Sequence, residues 1–229
     1  MCLRKGVGVE QNSELAFAEI IILAETNNYN LAHYTAALML LQGEGVATDE
    51  KRAFKHFHEA AKGGVQPALY NMGNCFAFGR GVEKDEEKAF RCYEAAAEAG
   101  DPSAKFTLGT WYFSGKGNIP RDTLKAFQLQ SEAANEGHPA AMFNMGAMYM
   151  SGSVESIEKD LNKARQWFEK AAEANIIEAA INLGNMYREG YGVEKDLMKA
   201  FNIFHQYSNR NDICKELAAI VKKEIDSNL

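Results

Sequence analysis

The sequence predicts an all-α fold made of helix pairs repeated along the chain. Three observations carry that reading. The decapeptide GVEKDEEKAF at 81–90 returns as GVEKDLMKAF at 192–201. Alanine and glycine recur together at intervals of 36, 36, 37 and 38 residues, the length of a helix-turn-helix repeat. Between these glycines the apolar residues follow helical spacing rather than strand alternation.

The repeat begins with Ala-x-x-x-(Leu/Met)-Gly. Its starts are Ala32, Ala68, Ala104, Ala141 and Ala179, and Gly73, Gly109, Gly146 and Gly184 stand five residues on; the first copy has Ala37 there. Columns +1, +4, +5 and +8 from the starting alanine share one face, as in Leu69, Met72, Gly73 and Phe76 or Met142, Met145, Gly146 and Tyr149. That face is expected to be core. Glycine follows again at Gly43, Gly79, Gly115, Gly152 and Gly190, ending the first helix of each copy.

A loop leads to an acid at Asp49, Asp85, Asp122, Asp160 and Asp196. The glycine-to-aspartate distance is six residues in copies one, two and five, seven in copy three and eight in copy four, so all the length variation falls in this connection. Each aspartate is an N-cap, its carboxylate placed to accept from the first-turn N–H groups of the second helix. In that helix Phe90, Tyr93, Ala96 and Ala97 form an apolar stripe in copy two. Gly100 closes it in left-handed geometry, and the same column holds Gly64, Gly137, Asn175 and Asn211. Pro67, Pro102 and Pro139 fall in the next turn, near the first helical position, where a missing N–H does no harm.

These columns divide the chain into a partial repeat at 1–31 (loop plus second helix), repeats at 32–67, 68–103, 104–140, 141–178 and 179–211, and a capping helix at 212–229, all in one domain. Gly6-Val7-Gly8-Val9-Glu10 through Ala16-Phe17 matches Gly190-Tyr191-Gly192-Val193-Glu194 through Ala200-Phe201. Residues 212–226 occupy the first-helix slot of a sixth copy, without its Leu-Gly core and with Lys222, Lys223 and Glu224, which suits a cap.

Composition narrows the function. The 229 residues are 46% hydrophobic and 24% charged, with a formal charge of −6 and no Lys/Arg run; nucleic acid and anionic membrane surfaces are disfavoured as partners. The most apolar run, Ile20-Ile21-Ile22-Leu23, is four residues between Glu19 and Glu25, so neither signal peptide nor membrane insertion is expected and the reading is cytoplasmic. Cys2, Cys75, Cys92 and Cys214 form neither a metal pattern nor a disulfide framework.

The full pattern, Ala-x-x-x-Leu-Gly-x-x-Tyr-x-x-Gly-x-Gly-Val-x-x-Asp-x-x-Lys-Ala-x-x-x-(Trp/Tyr/Phe)-x-x-Ala-Ala-x-x-Gly, resembles the Sel-1-like repeat, a relative of the tetratricopeptide repeat. It departs at Ala37, at Asn118, at the fourth loop, which lacks the second glycine, and at Tyr207-Ser208 in place of Ala-Ala. The resemblance implies a right-handed α/α superhelical solenoid and a non-enzymatic protein-interaction scaffold or adaptor. It also leaves open a recruiting part of a larger protein, as in endoplasmic-reticulum degradation adaptors or kinase-associated domains.

By the same resemblance, columns +3, +6 and +10 line the concave side. They place Asn71, Asn74 and Phe78, then Thr107 and Thr110, then Asn144, then Asn182 and Asn185 in a groove for a peptide or protein segment, with Phe113, Met150 and Arg188 beside them. An amide has two donors and an acceptor, so such a ladder can pair with the backbone of an extended chain. The other reading is that these asparagines hold adjacent helices together and the neighbouring aromatics, Tyr70, Phe106 and Phe143 among them, pack repeat on repeat.

No cofactor, metal or catalytic residue is expected. The GxG at 43–45, 79–81, 115–117 and 190–192 follows helices and lacks the Lys-Ser/Thr of a phosphate loop, so it reads as a turn. Ser156-Ile157-Glu158-Lys159 fits the S-x-x-K of serine β-lactamases without SDN or KTG partners, which leaves a hydrolase on this scaffold the weakest alternative. His56 and His58 point apart on one helix, and His33, His138 and His205 stand alone in sequence. Trp111 and Trp167 occupy core-type columns.

Overall fold

The N-cap aspartates do the work the spacing assigns them. Asp49, Asp85, Asp122, Asp160 and Asp196 each accept the backbone N–H three residues on, at 2.8–2.9 Å. Asn12 does the same for Leu15 at 2.9 Å, which puts it in the aspartate column of the partial repeat. Each aspartate also donates its own backbone N–H to the column +8 carbonyl of the preceding helix: Leu40, Phe76, Tyr112, Tyr149 and Tyr187, at 2.8–3.0 Å. This bond closes the connection whatever its length, so the longer third and fourth loops leave the helix pairs undisturbed.

The computed structural model describes residues 12–116, 118–155 and 157–227, all of them in helices and connections with no strand. Gly6-Val7-Gly8 and Cys2 at the start, Gly117 of the third GxG and Ser156 of the S-x-x-K stretch lie outside the described residues. The chain forms two units, Met1–Leu108 and Gly109–Leu229. The first holds α1 (Ser13–Asn27), α2 (Asn30–Gln42), α3 (Glu50–Lys62), α4 (Gln66–Phe78), α5 (Glu86–Glu98) and the start of α6 (Pro102–Ser114). The second holds the rest of α6, α7 (Thr123–Asn135), α8 (Pro139–Ser151), α9 (Leu161–Glu173), α10 (Ile177–Glu189), α11 (Leu197–Tyr207) and α12 (Asp212–Ser227). Within each unit every helix packs on the next in sequence, α1 on α2 through α4 on α5 and α7 on α8 through α11 on α12. We call the first helix of each copy A and the second B.

The glycine of Leu-Gly marks where A and B touch. A Cβ at Gly73 would stand 2.5 Å from the Tyr93 ring, at Gly146 2.6 Å from Phe168, and at Gly184 2.4 Å from Phe204. Each ring is buried to within 1%, worth about 2 kcal/mol apiece in area removed from water. The core is wider than the four expected columns. Column +7, Met39, Cys75, Trp111, Met148 and Met186, is also buried, because A packs between two B helices. The second glycine of GxG serves the same purpose between copies: Gly81 has φ +69 and a Cβ there would lie 2.0 Å from the Glu50 carbonyl oxygen, at the start of the previous B helix.

Two smaller expectations are corrected. Asn175 is left-handed, φ 65, as is Asn28, φ 48, in the same column of the partial repeat. Asn211 is not: its side chain accepts from Cys214 N at 3.0 Å and caps α12 instead. Trp167 is half-buried with Lys170 Nζ over its ring at 4.4 Å, while its neighbour Phe168 fills the core. Cys75, Cys92 and Cys214 are free thiols; burial raises the pKa of Cys75 to about 11, so it is inert.

Candidate functional site

The face formed by columns +3, +6 and +10 behaves differently in the two units. In the first, the amides are used internally. Asn71 Nδ2 donates to the Pro67 carbonyl at 2.9 Å and to the Tyr34 hydroxyl at 3.4 Å, one A helix to the previous one. Asn74 Oδ1 accepts from the Tyr93 hydroxyl at 2.8 Å, the ring that lies under Gly73. Thr107 Oγ1 donates to the Ser103 carbonyl at 2.9 Å. Phe78 stands out, 65% exposed, with the Arg80 guanidinium 5.6 Å from its ring centre.

In the second unit Thr110 Oγ1 accepts from Gln130 Nε2 at 3.3 Å. Gln130 is fully buried in the column that elsewhere holds Phe57, Tyr93, Phe168 and Phe204. A rule emerges across the copies: column +6 is polar where the B residue beneath it has a polar tip, Asn74 over Tyr93 and Thr110 over Gln130. It is apolar, Leu38 and Ala147, in the copies whose B helix supplies Phe57 or Phe168. Asn185 breaks the rule, since its copy supplies Phe204. Asn144 and Asn182, in column +3, likewise make no side-chain hydrogen bond among the described residues. For Asn182 the reason is visible: the column +2 residue of the previous copy is Phe143, which lacks the hydroxyl that Tyr34 offers Asn71. These three half-buried amides have donors and acceptors to spare.

The aromatics beside the face are mostly structural. Tyr70 packs tilted against Tyr93 with ring centres 5.6 Å apart, and Phe143 against Phe168 at 5.8 Å. Met150 packs against the core of the second unit. Phe113 is held by Arg121, whose guanidinium is 5.6 Å from its ring and whose Nε donates to its carbonyl at 3.1 Å. Arg188 is committed to Glu224 of α12: its Nε donates to Oε1 and Oε2 at 3.1 and 3.2 Å and its Nη2 to Oε1. That pairing lowers the carboxyl pKa of Glu224 and fastens the last helix across the end of the face.

One feature outside the face corrects the sequence reading. His33 is not alone: its Nδ1 meets His56 Nδ1 at 2.9 Å, both rings buried, between α2 and α3. Burial, then the neighbouring His33, lowers the His56 pKa. Two histidines 23 residues apart carry no sequence signal until the helices are paired; their columns, A+1 and B+7, become a contact only in three dimensions.

Among the described residues no helix is long and apolar enough to cross a membrane, and no group of three or more His, Cys, Asp or Glu is placed to hold a metal ion. No curated protein matches the sequence. Solved structures do. A Sel1 repeat protein from Oxalobacter formigenes is 28% identical over 89% of this chain and 80% of its own, with a TM-score of 0.80. The protective antigen c5321 of uropathogenic Escherichia coli, which displays an SLR fold, is 25% identical over 97% of this chain and 55% of its own, with a TM-score of 0.62. The immunity protein Pa5087 from Pseudomonas aeruginosa shares the fold at 21% identity, covering 76% of this chain and 63% of its own, with a TM-score of 0.51. Such arrays are solenoids that generally serve as non-enzymatic protein-interaction scaffolds. Segments 1–18, 28–65, 66–101, 102–138, 139–176 and 177–212 each match the Sel1 repeat, so with nearly its whole length accounted for, this chain belongs to the Sel1 repeat family.

Proposed function

We propose that this chain is an interaction module that binds an extended protein segment along the A helices, with Asn144, Asn182 and Asn185 of the second unit as its principal contacts. The observation that supports this is the contrast within one set of columns: Asn71, Asn74 and Thr110 are bonded internally, whereas these three amides are not. A half-buried amide is hydrated until a ligand backbone replaces the water, and each bond so made adds about 1 kcal/mol net. Backbone recognition of this kind selects an extended conformation before it selects a sequence. Phe78, Thr107, Phe113, Met150 and Arg188 contribute shape and rigidity rather than open hydrogen-bonding groups.

The test is a displayed library of linear peptides panned on the purified chain, followed by affinity measurement of enriched peptides. Asn144→Ala with Asn182→Ala removes two ligand bonds and weakens binding about thirtyfold. Asn71→Ala with Asn74→Ala lowers stability and leaves the affinity of the folded protein near wild type. Binding unchanged by the first pair would refute the reading.

A further inference from the structure

The two columns that bring His33 and His56 together are A+1 and B+7, counting B from its N-cap aspartate. In copies two, four and five they hold Leu69 with Cys92, Met142 with Trp167 and Ala180 with Ile203. No copy but the first places a polar side chain at both, so the repeat itself does not call for two histidines there. In the first copy they stand 7% and 8% exposed, one on α2 and one on α3. Nδ1 faces Nδ1 at 2.9 Å, with ring centres 5.2 Å apart and the planes tilted by 38°. Neither ring makes another side-chain hydrogen bond among the described residues.

A neutral imidazole has one N–H and one bare nitrogen. At the 2.9 Å contact one Nδ1 carries the proton and the other accepts it. Burial, then the neighbouring His33, disfavours charge on His56; Arg52 acts in the same sense and Glu25 of α1 against it. The ring therefore keeps the neutral form that ligates metals. Glu25 has a second consequence, since an anion near the pair offsets the charge of a bound cation.

From this geometry we infer that His33 and His56 bind one soft monovalent d¹⁰ cation, Cu⁺ or its redox-stable analogue Ag⁺, in line between the two Nδ1 atoms. Coordination number selects the ion. Zn²⁺ takes four ligands in a tetrahedron, and divalent copper and nickel take a square plane. No group of three or more His, Cys, Asp or Glu is placed to hold such an ion among the described residues. A monovalent d¹⁰ ion is satisfied by two nitrogens in line. With metal–nitrogen bonds of about 2 Å, the Nδ1 atoms must part by about 1 Å, which rotation of the two rings supplies. The donating ring moves its proton from Nδ1 to Nε2, so both bound rings stay neutral and no proton is released.

The test is a titration of the uniformly ¹⁵N-labelled chain with Ag⁺ in chloride-free buffer, read by the imidazole nitrogen resonances. Thiols elsewhere in the chain take up silver as well, and this readout is blind to them. Before addition, one of the two rings should be the Nδ1–H tautomer. With silver bound, both should be Nε2–H and both Nδ1 signals should be displaced. Zn²⁺ at the same concentration should leave both rings unchanged. His56→Phe puts an apolar ring in a column that elsewhere holds Trp167 and Ile203. It should keep the helical circular dichroism and abolish the silver-induced shift at His33. Silver that leaves both rings in place, that shifts one ring only, that shifts His33 equally in His56→Phe, or that is displaced from the rings by Zn²⁺ would overturn the inference.

Discussion

Replacing Gly184 by alanine sets two effects against each other. In an exposed helix the change stabilises by about 1 kcal/mol through helix propensity and a less flexible unfolded chain. Here the new methyl would lie 2.4 Å from Cε1 and 2.5 Å from Cζ of Phe204, atoms of a ring with no solvent exposure. Separations that short force ring and helix apart, and overpacking of this kind costs about 1–3 kcal/mol. The net expectation is destabilisation by about 1 kcal/mol in urea unfolding followed by circular dichroism. Adding Phe204→Leu, itself destabilising, should relieve the contact, so the double variant should be more stable than the sum of the singles by at least about 0.5 kcal/mol. Ala37 occupies the corresponding position of the first copy without exposure, so the column accepts a methyl where the facing B helix is spaced for it. A Gly184→Ala variant more stable than wild type, or strict additivity with Phe204→Leu, would refute the close-approach reading of this glycine column.

Acid should loosen the first unit. The His56 pKa is lowered by burial and by His33, so the unfolded chain takes up protons the fold resists; the stabilisation is whole above about pH 6.5 and is lost as pH falls below it. Urea midpoints between about pH 8 and pH 5 should fall on the acid side, less steeply in His56→Phe. Asp196→Ala removes a cap to Lys199 N at 2.8 Å and should cost about 1 kcal/mol by the same assay. A double-mutant cycle on Arg188→Ala and Glu224→Ala, partners with side-chain exposures of 25% and 33%, should give a coupling of about 0.5–1 kcal/mol, with peptide affinity changed little by either single variant.

The repeat was legible because its punctuation is chemical. Aspartate caps, left-handed glycines and proline at helix starts announce themselves at fixed offsets, and all recur as expected in the helices and loops. The glycine of Leu-Gly was legible as a column, but its cause, the ring beneath it, needed B placed against A. The amide ladder was legible only as residue type. Asn74 and Asn185 look alike in sequence; the difference is that the first sits over the Tyr93 hydroxyl, whereas the B helix of the second supplies Phe204, which has none. Asn211 misled because asparagine serves equally well as a left-handed C-terminal residue and as an N-cap, and the chain turns directly from α11 into α12.

The central claim is that Asn144, Asn182 and Asn185 offer open amides to a partner while Asn71 and Asn74 do not. Side-chain amide resonances of ¹⁵N-asparagine-labelled protein, followed during titration with a peptide enriched by panning, address it most directly. The account predicts that the Asn144, Asn182 and Asn185 signals shift in proportion to occupancy and those of Asn71 and Asn74 stay in place. Shifts confined to Asn71 and Asn74, or to residues off the A helices, would contradict it.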